Sequence, residues 1–389
     1  MHSPFAAPDD WLDKYKGVYD KGYDAIRSER LARMKELGIV GKDTVLSPRV
    51  SSVPAWDTLT PEQKKLSARR MEVYAAMLAN MDYHIGRLVD HLKQTGQYEN
   101  TLVVFLSDNG AEPVELGTLV ETVFNAEAKK WYLDKFDTSI EQMGRKGSVT
   151  DYGAAWAQVG STPFRFYKAW TAEGGIRSPL IIAGAGVKNA GAIKTAVMHV
   201  TDLVPTFLEL AGATPSPQLD AVSLVPILKG DTINTPRDLY FVRREGGPAY
   251  GGKSYEAIIK GDWKLMQNSP YEPLELYNLK DDPQEKTNLF AKNQKVAREL
   301  NYADLILRLK QVRTIINYSD EELAMLPFYG VFRYEKDPAL LANYRRALDD
   351  WCPPFPGYHL YYPSRRQPSA AFSLVVEALR YRPAARRDL

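Results

Sequence analysis

Thr101-Leu-Val-Val-Phe-Leu-Ser-Asp108-Asn109-Gly110 is an apolar run that ends abruptly in a carboxylate, an amide and a glycine. The five apolar residues from Leu102 to Leu106 read as a buried strand, since strands covered on both faces of a parallel sheet are continuous hydrophobic runs. In open α/β sheets ligands gather at the carboxyl ends of strands. Asp108 and Asn109 stand at such an end, and a carboxylate beside a neutral amide oxygen suits a hard cation such as Ca²⁺ or Mg²⁺. All three residues after Ser107 also favour tight turns, so taken alone the stretch equally describes a turn after a strand.

The rest of the chain gives that stretch its setting. With 389 residues, 44% of them hydrophobic and 25% charged, the chain has room for a large domain and a smaller one. The net charge of +2 supplies no field to draw nucleic acid or an acidic membrane surface. No window approaches the roughly 18 apolar residues of a spanning helix. A single cysteine, Cys352, excludes an intrachain disulfide framework and a cysteine-built zinc site. No basic segment followed by an apolar core opens the sequence, so as encoded it reads as cytoplasmic. A periplasmic or secreted location stays open if a leader precedes it.

Upstream, Tyr19 to Leu37 has helical character with Gly38 as its stop. The clearest helix starts at Thr60-Pro61-Glu62-Gln63, which combines an N-cap, a proline in the first turn and a capping-box glutamine. Apolar residues from Tyr74 to Leu92 keep one face of it, and Gly96 ends it. His84 and His91 on this helix lie about 10 Å apart, too far to share one ion. Downstream, Glu115 to Met143 is helical without clear periodicity. Tyr152 to Pro179 mixes glycines, aromatics and cations, a poor regular element but a good loop around an anion.

Leu180 to Ala183 is a short strand, and Thr201 to Ala211 a helix capped by Thr201 and stopped by Gly212. Four short β-rich runs between Leu239 and Tyr277 predict a small antiparallel sheet. Helical sequence resumes near Gln294. The last 60 or so residues, rich in Tyr and Pro, end in a basic tail. The expected division is 1–232 for an α/β domain, 233–320 for an antiparallel sheet plus helix, and 321–389 for an extension.

Taken in order, these segments resemble the sulfatase family, alkaline-phosphatase-like hydrolases of sulfate esters, and most closely the bacterial arylsulfatases. The resemblance rests on His2-Ser-Pro-Phe-Ala-Ala-Pro8, Leu106-Ser-Asp-Asn-Gly-Ala-Glu112, Gly160-Ser-Thr-Pro-Phe-Arg165 with Tyr167-Lys168, and Glu173-Gly-Gly-Ile-Arg177. His199-Val-Thr-Asp-Leu-Val-Pro, Asp262-Trp-Lys-Leu and Glu275-Leu-Tyr-Asn-Leu follow. It implies a mixed, mostly parallel sheet sandwiched by helices, followed by a small antiparallel subdomain. It also implies that Asp108 and Asn109 bind the active-site calcium and that His2 and Lys168 contact the sulfate group of a small-molecule sulfate ester.

Such a residue set has a chemical logic. Cleaving a sulfate ester builds negative charge on the sulfuryl and leaving oxygens, which a divalent cation and fixed cations stabilise. The family's nucleophile is a formylglycine made from Cys or Ser in Cys/Ser-x-Pro-x-Arg near the beginning of the domain, beside an acidic pair of metal ligands. Neither is read anywhere in this chain. Cys352-Pro-Pro-Phe-Pro356 has proline in place of the arginine, and Tyr361-Tyr-Pro-Ser-Arg365 has tyrosine in place of the modifiable residue. The expectation is therefore the C-terminal portion of an arylsulfatase, with weak or absent turnover by itself. The competing expectations are a non-catalytic binding protein of the same fold and a phosphatase or phosphodiesterase of the superfamily.

Overall fold

The computed structural model describes residues 4–123, 125–214, 219–231, 237–243, 255–268 and 272–301. These fall into two units. One holds residues 4–195, 228–230 and 237–293, and the other residues 196–227, 231 and 294–301.

The first unit opens with a short helix α1 (Asp9–Leu12) and continues through α2 (Gly22–Glu36) to α3 (Pro61–Gln94). The capping box predicted for α3 is present. Gln63 N–H donates to Thr60 Oγ1 at 3.2 Å, and Thr60 N–H donates to the Gln63 amide oxygen at 2.9 Å. Then come β1 (Leu102–Leu106), α4 (Leu116–Val123), α5 (Ala126–Lys135), α6 (Gly153–Gly160), α7 (Glu173–Ile176) and β2 (Leu180–Gly184). Within the stretch expected to be wholly irregular, α6 is a regular helix. It is buried nearly all round, so it carries no apolar stripe to announce it.

The core of this unit gathers on Trp156 of α6, which is 1% exposed. Tyr19, Tyr23 and Trp56 meet its ring edge-on, with centroids 5.4, 5.8 and 6.4 Å away. Its indole N–H, which burial would leave costly if unpaired, donates to the Ser67 carbonyl on α3 at 2.9 Å. Phe5 wedges against Tyr74 and Tyr152 at 5.2 and 5.1 Å, so the segment just after His2 is tied into the same core.

The sheets correct the expected architecture. β1 pairs antiparallel with β2, from Leu102 opposite Gly184 to Leu106 opposite Leu180. Four further strands, β3 (Asp238–Arg243), β4 (Tyr255–Lys260), β5 (Trp263–Gln267) and β6 (Glu275–Asn278), form a sheet in sequence order with every pairing antiparallel. Among the described residues both sheets are therefore wholly antiparallel, not mostly parallel. An apolar run encodes burial, not strand direction, and here direction is set by a long connection that returns β2 against β1. Nor is β1 covered on both faces: Phe105 and its cross-strand partner Ile181 are 37% and 60% exposed.

In the second unit, α8 (Leu203–Leu210) follows a 3₁₀ turn at Val200–Asp202. The cap falls earlier than Thr201. The Asp202 carboxylate accepts from His199 N–H at 2.7 Å, and Gly212 ends the segment at φ +75°. The short helix α9 (Val225–Lys229) lies where the two units adjoin in sequence.

Candidate active site

β1 delivers Ser107 to Glu112 as a turn held on both sides by the segment 161–179. Ser107 N–H donates to the Pro179 carbonyl at 3.3 Å, and Ser178 Oγ–H donates to the Ser107 carbonyl at 2.6 Å. Gly110 N–H donates to the Gly175 carbonyl at 2.8 Å. A Cβ at position 110 would stand 1.9 Å from the Gly174 carbonyl oxygen, so only glycine admits this approach. Lys168 N–H then donates to the Ala111 carbonyl at 3.0 Å.

These contacts join the predicted residues into one loop cluster. Asp108 is exposed at the strand end and Asn109 partly so. Lys168, half-exposed, sends its ammonium to the buried Glu112 carboxylate at 2.6 Å. His2 lies outside the described residues. Its neighbour Phe5 packs on Tyr152, whose phenol meets the backbone of Glu112 and is pushed above the ordinary tyrosine range by burial. Glu112 is the residue that sequence reasoning missed. Its only signal was its place three positions after Asn109, which also suits an ordinary solvated acid.

Calcium takes six to eight oxygen ligands. Asp108 and Asn109 are oxygen donors of the right chemistry for two of them. Among the described residues no group of three or more His, Cys, Asp or Glu side chains is placed to hold a metal. Two oxygen donors are fewer than the six to eight that such a cation takes, so by chemistry they match at most part of a hard-cation ligand set.

The nucleophile does not fit. Contrary to the expected absence of the motif, one literal Ser-x-Pro-x-Arg string is present, Ser161-Thr-Pro-Phe-Arg165. Ser161 is 7% exposed and its Oγ–H donates to the Gly174 carbonyl at 3.1 Å, while Arg165 is spent on Glu275 at 2.8 Å. That serine is part of the packing beneath the loop cluster, not a group presented to substrate. Cys352 lies outside the described residues.

Comparison with known proteins assigns the family. The family model described as Sulfatase matches residues 1–213, and the one described as N-sulphoglucosamine sulphohydrolase, C-terminal, matches residues 164–314. The chain belongs to the sulfatase family, whose members are hydrolases within the alkaline-phosphatase-like superfamily.

Two relatives are similar over long stretches. An arylsulfatase of Klebsiella aerogenes is 42% identical over 228 residues, covering 58% of this chain and 47% of that protein. An uncharacterized sulfatase of Schizosaccharomyces pombe is 34% identical over 314 residues, covering 77% of this chain and 54% of that protein. The chain thus spans about half the length of the curated relatives it matches. Among solved structures, BT4656 in complex with D-glucosamine-2-N,6-O-disulfate aligns over 76% of this chain and 46% of that one, with 21% identity and a TM-score of 0.45. No helix among the described residues is long and apolar enough to cross a membrane.

Proposed function

We propose that this chain carries part of the active site of an arylsulfatase-type sulfuric ester hydrolase. The observation that supports this most is the bond from Lys168 N–H to the Ala111 carbonyl, which ties the lysine to the turn that bears Asp108 and Asn109. In this reading Asp108 and Asn109 are two of the calcium ligands. When bound, the cation neutralises charge on the sulfuryl oxygens.

Lys168 is the fixed point charge for a sulfuryl oxygen, since an ammonium accepts any oxygen direction without a planar fork. Glu112 keeps the ammonium parked in the absence of anion, and sulfate competes for it. His2 completes the set as donor to the leaving oxygen or to a sulfuryl oxygen. Among the described residues no side chain is presented as the nucleophile of the covalent step, so binding is expected to exceed turnover.

Calorimetry checks the metal assignment: Asp108→Ala should weaken calcium binding at least tenfold, and an unchanged affinity removes it. The substrate class is checked by comparing aryl sulfate with aryl phosphate. Preference for phosphate, in binding or in turnover, would move the chain to the phosphatase branch of the superfamily.

A further inference from the structure

A set of buried charges lies where the four-stranded sheet meets the loop that carries Lys168. Lys264 on β5 has a fully buried side chain, with Nζ 3.0 Å from Glu173 Oε1 and 2.8 Å from Glu285 Oε1. The second oxygen of Glu285 accepts Glu173 N–H at 3.0 Å. Burial alone would pull the lysine down, but the two carboxylates outweigh it and hold its pKa above the usual lysine value.

Beside this triad the Arg165 guanidinium donates to Tyr277 Oη at 2.6 Å, to the Glu275 carboxylate at 2.8 Å and to the Glu285 carbonyl at 3.2 Å. Arg243 of β3 donates to the Ala169 carbonyl at 3.0 Å. The sheet thus grips the loop at residues 165, 169 and 173, on both sides of Lys168.

Stability alone gives no reason for this arrangement. Desolvating three charges costs as much as their attraction returns, and an apolar replacement of equal volume commonly serves as well. What such a set does specify is one geometry. The loop needs that help, because Phe166 and Ala169 sit at φ +60° and +82°. Side-chain-bearing residues hold that left-handed conformation only where the surroundings over-determine it.

We infer that the four-stranded sheet is a positioning device for Lys168, acting through Lys264 with Glu173 and Glu285, and through Arg165 with Glu275 and Tyr277. None of these residues touches the reacting anion in this scheme; each acts through the loop. The inference rests on the reading of Lys168 as the anion-binding lysine.

Trace acetylation of the whole chain with acetic anhydride, read lysine by lysine by mass spectrometry, tests it. In Lys264→Met and in Glu275→Gln, Lys168 should be labelled several-fold faster than in the wild type, relative to the exposed Lys130 as internal reference. Amide exchange across 107–112 should rise with it. The double variant Lys264→Met/Glu285→Gln, which removes one of the two carboxylates that Lys264→Met leaves uncompensated, should keep both readouts raised, since the tie from β5 to Glu173 stays broken.

Glu275→Gln leaves the triad intact, so it decides the matter if Lys264→Met does not fold. A folded variant with wild-type labelling at Lys168 and wild-type exchange at 107–112 overturns the inference. Inorganic sulfate added to the wild type reads the other proposition separately. Sulfate that fails to protect Lys168 counts against the anion-binding role, while a labelling change among the variants still reports on positioning.

Discussion

Gly110 carries a constraint out of proportion to its size. With the Gly174 oxygen 1.9 Å from where its Cβ would be, Gly110→Ala must push the turn off the neighbouring loop. Overpacking of this kind costs about 1–3 kcal/mol, which a shift in the urea midpoint will show. Asp151 poses the opposite problem. One of its oxygens accepts Leu116 N–H at 2.8 Å and the other lies 3.5 Å from Arg70. Burial, only partly countered by Arg70, holds its pKa above the ordinary aspartate value.

A carboxyl whose folded pKa is raised favours the fold below its unfolded pKa and loses that contribution as pH rises through the folded value. At neutral pH the ionised form is therefore the penalty, and Asp151→Asn should melt at least as high as the wild type. The gap should close as pH is lowered through the raised pKa, which thermal melts across pH 3.5 to 7.5 will check. At this scale the sequence was legible wherever chemistry needs a rare local pattern, as in Ser-Asp-Asn-Gly. It was illegible at Glu112 and Ser161, whose roles come from partners dozens of residues away or from the packing around them.

At the scale of elements, α3 and the four-stranded sheet could be read from local signals because those signals are local causes: a capping box, and alternating runs broken by turn residues. Thr60→Ala removes the acceptor for Gln63 N–H and should cost about 1 kcal/mol, measurable as a lower denaturant midpoint with an unchanged slope. Strand direction in the β1–β2 pair was not legible, because a five-residue apolar run is the same string whichever way its neighbour points. The helix α6 was also missed, since burial nearly all round erases the periodicity from which helices are recognised.

At the scale of the whole molecule, the β1–β2 pair leaves apolar side chains in water, with Phe105 and Ile181 directly opposite on one face. Among the described residues no third strand pairs with this ribbon, and exposed apolar residues on such a ribbon favour association. Light scattering at rising concentration should fall when both positions are changed to lysine, and an unchanged signal would locate any self-association elsewhere.

The clamp on the Lys168 loop also has a history in time. Its partners are separated by 112 residues of chain, from Arg165 to Tyr277 and from Glu173 to Glu285. Synthesis proceeds at about 5–20 residues per second, so the loop emerges roughly 5–20 s before the residues that hold it. During that interval the turn after β1 has its neighbours but not their support. The geometry of the Lys168 loop is therefore among the last parts of the first unit to be completed, and a ribosome that stops short of Glu285 releases a chain with that loop present and unclamped.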